Sequence, residues 1–568
     1  MRKVLSLLLV TALLFGTMAG VRTAAAATIE IRWNNGAEPQ TIDPALSTGI
    51  PEANTILQVF EGLTRLDKNN NPIPAVAKSW TISADKKTYI FTLRDSFWTN
   101  GTPVTAYDFE YAWKRALQPE TAAEYAYQLY YVYGGEAFNK SINVDGKYYA
   151  QAVDAKGNPL TKKEGDKDVP VPNMSKQIDP SKNVGVKALN AKTLKVYLAS
   201  PTPYFLSLCA FPTLMPVCKA VVSKNANWTS DDLKSYITNG PFKAVKWSHN
   251  EKMEFIKNPT YWDKANVKPD KLTYYMIDDE STALSQYQSG ALDASDIVPL
   301  AELPGLVKSG DCKIMPYLGT YYYSFNVTKK PFNDVRVRKA LTLAINRSAI
   351  VNNITRGGEL PALAYVPYGI PDATSTTEFR TSGPVTFYKD NDIATAKALL
   401  AAAGYPNGKG FPSFTILYNN SSRHKSIAEA IQQMWKTNLG INCTLRNEEW
   451  GVYLDDLTNL NYQVARRGWI GDYVDANTFM DMWVTGGGNN DTGWSSKQYD
   501  MDIAKAKSTS DPKVRMQYMH DAEKILMTDY PIAPIYYYTH PILLKSKVKG
   551  LVLSTLGFVD WKNVTISG

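Results

Sequence analysis

The segment RRGWIGDYVDANTF, residues 466–479, sets one acid, Asp472, between Trp469 and Tyr473, with two arginines just upstream. A carboxylate in such surroundings suits four kinds of chemistry. It can be a general acid, a metal ligand, half of an ion pair with Arg466 or Arg467, or a fixed anion that receives a cationic ligand. Acid catalysis of the glycosidase kind needs a second carboxyl at a defined distance across a cleft, and the nearest candidate is Asp475. A transition-metal site needs further His or Cys ligands. The chain has four histidines, His249, His424, His520 and His540, none paired at metal-ligand spacing. No metal or cofactor site is expected.

The familiar reactive signatures are missing. There is no G-x-x-x-x-G-K-[ST], no G-x-G-x-x-G after a strand, no H-E-x-x-H and no C-x-x-C, and no G-x-S-x-G elbow. The acid pairs Asp278/Asp279 and Asp455/Asp456 are sequence neighbours, so their side chains diverge on a strand or a helix. That is the pattern of solvated charges. Cys209, Cys218, Cys312 and Cys443 are too few for a disulfide scaffold. One or two bridges, or buried free thiols, fit equally.

The chain carries 35 Tyr and 13 Trp. Such rings supply rigid area with a polar tip, suited to a surface that grips a ligand while staying wet. The formal charge of +8 falls to +5 without Arg2, Lys3 and Arg22, and no basic block interleaves with aromatics, so nucleic acid is not an expected partner.

The elements that must position these residues begin after a leader. Arg2 and Lys3, the apolar run VLSLLLVTALLFGTMAG and the small residues Ala25 and Ala27 predict a signal peptide over 1–27. No cysteine near its end offers a lipid anchor, so an exported, periplasmic location is expected. About 540 residues follow, too many for one core. Strand-like and helix-like stretches alternate throughout, which predicts an α/β protein. TYIFTLR (88–94) reads as a strand, and TAYDFEYAWKRAL (105–117) as a helix capped by Thr105 with Phe109, Trp113, Ala116 and Leu117 on one face. Residues 140–185 read as an elaborated polar loop or hairpin. Beyond residue 318 the helices lengthen: 333–354 with Asn333 as cap, 392–404 between Asp392 and Gly404, and 424–440 closed by Gly440. PIAPIYYYTHPILL (531–544) reads as a late strand.

Four segments, NNGAEPQTIDPALSTGIPEANTILQVFEGL, GTPVTAYDFEYAWKRAL, YYYSFNVTKKPFNDVRVRKALTLAINR and ARRGWIGDYVDANTF, resemble in order the oligopeptide-binding proteins of bacterial peptide-import ABC transporters. The resemblance spans the mature chain. It implies a two-lobed, periplasmic-binding-protein-like clam of three domains, with the ligand buried between lobes. One lobe is a discontinuous domain of 28–60, 205–318 and 540–568, extended by an inserted domain of 61–204. The other is 319–539, and crossings near 318 and 539 form a hinge.

The resemblance also implies roles. Asp472 matches the family's anchor for a peptide α-ammonium, and Tyr111 a tyrosine touching the peptide from the inserted domain. Ile50 and residues Gly468, Trp469 and Ile470 match main-chain partners that sandwich an extended peptide by strand addition. Trp450, Leu454, Trp469, Tyr322 and Tyr538 match pocket walls, and Asn489 a polar pocket residue. Arg466 and His424 match positions that meet the peptide carboxylate, with His424 most effective when protonated. This chain departs from the family at Thr48, Ser324, Leu457 and Thr458, where charged or histidine residues are absent. It also lacks a cysteine pair, at Gly319 and Ile470. The implied partners are short peptides and membrane permease subunits, the chain itself being a monomer and not an enzyme. The same fold binding an oligosaccharide or a metal chelate is the alternative, and a hydrolase using Asp472 with Asp475 a third.

Overall fold

The computed structural model describes residues 28–155, 158–165 and 167–567. The expected signal peptide lies outside the described residues. The architecture is α/β, and among the described residues its spine is an 11-stranded mixed sheet. Two strands dominate it, Cys312–Phe325 and Ile532–Leu544, of 14 and 13 residues. They pair antiparallel along their length, with a register shift between Pro316 and Thr320. Near Leu543, Ile532–Leu544 pairs with Ala294–Ser295, which leads to Glu30–Asn34 and Lys271–Tyr275. At the other end, Cys312–Phe325 pairs with Val464–Ile470, placing Gly319 directly opposite Ile470. A two-stranded ribbon thus carries one sheet between two bodies.

Each body has its own core. One is built on Trp33, Phe91, Trp113, Trp228 and Trp561, the other on Tyr321, Leu341, Trp435, Trp483 and Leu526. The helix Ala106–Leu117 anchors the first: Phe109, Trp113, Ala116 and Leu117 are fully buried. A reciprocal capping box of Thr105 and Asp108 starts it, satisfying amide donors that a helix end leaves open. It lies beside a four-stranded sheet, Val186–Asn190, Thr193–Tyr197, Thr88–Leu93 and Ala77–Ile82 in order. The 140–185 region forms hairpins, Ile142–Val144 with Lys147–Gln151 and Thr161–Glu164 with Lys167–Pro170.

The helix expected over 333–354 is broken. Val335–Leu343 is capped by Asp334 rather than Asn333, and a second short helix, Arg347–Ile350, starts at Asn346. The Asn346 side chain accepts from the Ala349 amide at 2.8 Å, a local bond that competes with continuing the helix. Ser422–Leu439 begins two residues earlier than expected, at the Ser421 cap, and ends at left-handed Gly440. All four cysteines are buried free thiols. No helix among the described residues is long and apolar enough to cross a membrane.

Candidate functional site

Strand Val464–Ile470 spends one edge on Cys312–Phe325. Its other edge pairs with Phe414–Asn419 only at Val464 and Ala465, and the Tyr453 hydroxyl donates to the Arg466 carbonyl. From Arg467 to Ile470 no strand lies against that edge among the described residues. An open edge offers alternating amide donors and carbonyl acceptors to any extended chain.

Asp472 lies just past the end of this strand and is 6 % exposed. Its backbone N–H donates to Thr478 Oγ1 at 2.9 Å. The Gln128 amide donates to its Oδ2 at 2.7 Å and the Tyr125 hydroxyl to its Oδ1 at 3.3 Å. Both donors come from the turn Glu124–Leu129, far from Asp472 in sequence. Among the described residues no guanidinium pairs with the carboxylate, against the ion-pair alternative: Arg467 pairs with Asp491 at 2.5 Å, and Arg466 donates to Asn419 Oδ1 and the Tyr538 hydroxyl, each at 3.1 Å. Burial pushes the Asp472 carboxyl up to about 8, against the lowering pull of its hydrogen bonds. Asp475, the second acid of the hydrolase reading, is held by Arg515 through both oxygens, at 2.6 and 2.9 Å.

Two cavities meet at the open edge. The smaller, about 100 Å³, encloses Asp472 with Thr48, Tyr125, Phe211, Trp469 and Arg467. The larger, about 440 Å³, is lined by Tyr317, Arg423, His424, Arg466, Tyr538 and several acids. Ile50, Trp450, Gly468 and Ile470 line both. The site therefore runs from a buried carboxyl at one end to half-buried arginines at the other. Arg466 lies 5.0 Å over the Tyr321 ring, and no carboxylate among the described residues pairs with it.

Five expected positions need correction. Tyr111 lines a separate surface hollow with Leu46, Arg115 and Trp228. It is half-buried there, packed against the first body's core. The tyrosine beside Asp472 is Tyr125, which also stacks on Trp469 at 6.1 Å. Leu454 belongs to a small core with Tyr453, Leu457 and Tyr462, and Tyr322 is fully buried edge-on to Tyr365 and Trp483. Neither lines either of these two cavities. Asn489 donates to the Tyr127 hydroxyl at 3.3 Å and is a wall of neither of these two cavities. His424 does line the larger cavity, but burial, with Arg466 and Arg423 nearby, holds it well below the usual histidine range. Burial thus disfavours the protonated form on which the expected effect depends. Tyr125 and Gln128 escaped the sequence reading because they lie in a short 3-10 turn, Glu124–Leu129, which has no helical stripe to mark an inward face.

Gly468 has a geometric reason. A Cβ there would stand 2.3 Å from the Tyr538 hydroxyl. Gly468→Ala is expected to displace Tyr538 and loosen Arg466, at about 1–3 kcal/mol for overpacking. A chemical-denaturation curve checks this; an unchanged midpoint would mean that Tyr538 moves freely.

Comparison with known proteins agrees with this geometry. The family described as bacterial extracellular solute-binding proteins, family 5 Middle, matches residues 71–491. The oligopeptide-binding protein OppA of Bacillus subtilis (strain 168) is 38% identical over 536 residues, covering 93% of this chain and 90% of that protein. The structure of Haemophilus influenzae OppA in complex with RPPGFSPFR is 32% identical and superposes with a TM-score of 0.83, covering 95% of this chain and 99% of that one. The unliganded open form of the periplasmic murein tripeptide binding protein MppA, 33% identical, reaches only 0.60 over 95% of this chain and 98% of that one. The chain as a whole therefore superposes better on the peptide complex than on that open form.

Proposed function

Because this chain belongs to the bacterial extracellular solute-binding proteins of family 5, we propose that it captures short extended peptides between its lobes and hands them to an ABC-type import permease. The observation that carries the reading is Asp472, an enclosed carboxyl with no cationic partner among the described residues, beside an unpaired strand edge. In this reading the peptide ammonium meets Asp472, and the peptide main chain adds to residues 467–470. Its carboxylate is directed toward Arg466, whose fork is unmatched by any acid. Trp450, Ile50 and Tyr538 then form walls around the ligand. The chain performs no chemistry on its cargo and acts outside the cytoplasm as a monomer. The lobes are 28–60, 205–318 and 540–568 with the insert 61–204, against 319–539. They hinge where the ribbon changes register, between Pro316 and Thr320.

The test is titration calorimetry with one tripeptide in free-amine and N-acetylated forms. Binding of the free form alone is expected; equal affinities would remove Asp472 as the anchor.

A proton count follows from the same pairing. The peptide amine has a pKa of roughly 7.7–8.0, and Asp472 is pushed up to about 8. At about pH 6.5 the amine is already charged while the carboxyl still holds its proton, so pairing releases one. At about pH 9 the carboxyl is ionised and the amine neutral, so pairing takes one up. Calorimetry in buffers of different ionisation enthalpy should show this change of sign. A proton count near zero at the lower pH would mean an already ionised, hydrated carboxyl in the free protein.

A further inference from the structure

The smaller cavity holds two charged groups, Asp472 and Arg467. Along strand Val464–Ile470 side chains alternate, so Arg467 and Trp469 share one face, and Arg466 and Gly468 the other. Arg467 forms an ion pair with Asp491 at 2.5 Å. Arg467 is among the cavity walls and its counter-ion Asp491 is not. The Arg467 Nε is buried with no acceptor. The remaining walls are largely apolar or aromatic, among them Ile50, Phe211, Trp450 and Leu556.

We infer that Arg467 selects the first side chain of the bound peptide, admitting uncharged groups and excluding basic ones. The inference rests on Asp472 as the ammonium anchor. If the α-nitrogen sits at Asp472, the Cα that bears it is one bond away. The first side chain then departs inside the same enclosure of about 100 Å³. A lysine there would bring a second cation against the Arg467 guanidinium, while the one carboxylate in the cavity is already engaged. Like charges repel far more strongly in a desolvated enclosure than in water. The larger cavity imposes no such exclusion, since Glu38, Asp278, Glu280 and Asp296 line it, so selection falls on the first residue.

The test compares two peptides, norleucine-Ala-Ala and Lys-Ala-Ala, which differ in the terminal ammonium of one side chain, by calorimetry on the full-length mature protein. The native protein is expected to bind the norleucine peptide at least about tenfold more tightly, since like-charge contacts in an interface are strongly unfavourable. Arg467→Met should reverse the preference, because Asp491 is left as an unpaired buried carboxylate that favours a cation. The double variant Arg467→Met/Asp491→Asn should bind both alike. Equal affinity of the native protein for the two peptides, with N-acetylation still abolishing binding, would overturn the inference while leaving the anchor intact. Indifference to N-acetylation would remove the anchor and the inference with it. The native comparison decides even if a variant fails to fold.

Discussion

Replacing Asp472 by alanine is expected to weaken binding of a free-amine peptide by about 2–5 kcal/mol, roughly 30- to 5,000-fold. The size comes from what is left behind. In the native site the ammonium would meet a carboxylate already oriented by Gln128 and Tyr125 and by the fold of its own loop onto Thr478. Without it the ligand's charge sits in an enclosure whose nearest polar groups are a hydroxyl and an amide. A buried charge that loses its partner forfeits the full cost of its desolvation. Asp472→Asn keeps the shape and removes the charge, so a loss close to that of alanine assigns the effect to charge. The N-acetylated peptide should bind wild type and both variants with similar weakness. Were the free peptide to bind Asp472→Ala as well as wild type, the anchor would have to be elsewhere.

The second large effect concerns stability. Glu523 and Arg380 are both fully buried and ion-paired. The Glu523 carboxylate also accepts from the amides of Tyr365 and Val366, at 3.1 and 2.8 Å. Burial raises the Glu523 pKa, and Arg380 pulls it back. Glu523→Ala should therefore cost about 3–5 kcal/mol, because it strands a buried guanidinium together with two amides. The damage should reach the binding edge: the Tyr365 carbonyl accepts from Thr320 Oγ1 at 2.7 Å, and Thr320 lies opposite Trp469. Glu523→Leu combined with Arg380→Met should recover much of the loss, since an apolar pair avoids the desolvation of two charges. Urea unfolding measures all three. An alanine variant within about 1 kcal/mol of wild type would mean that water reaches Arg380 once the acid is gone.

What could be read from the sequence depended on the range of the interaction. Asp472 stood out because an acid among rings is anomalous in itself. The Ala106–Leu117 helix was legible because its cap, its apolar period and its end all lie within a dozen residues. The partners of Asp472 were not. Tyr125 and Gln128 reach it only after the chain folds back across some 344 residues or more, and nothing local marks them. Tyr322 was misplaced for a related reason. In a central strand both faces are covered, so an aromatic there reads the same whether it faces a cavity or a core. The helix at 333–354 failed at Asn346, whose side chain offers the backbone a bond that periodicity does not count. The absent cysteine pair has a clear geometric counterpart: Ile470 fills the space that Gly319 leaves, its Cδ1 only 2.4 Å from where a Cβ would stand.

The unpaired stretch of Val464–Ile470 belongs wholly to one lobe. Whenever the jaws part without cargo, a bare β-edge faces solvent, and such an edge is a template for sticking to a second molecule. In the proposed reading, cargo laid along that edge would also plug it against clumping, and vacant protein at high density would be the form most exposed.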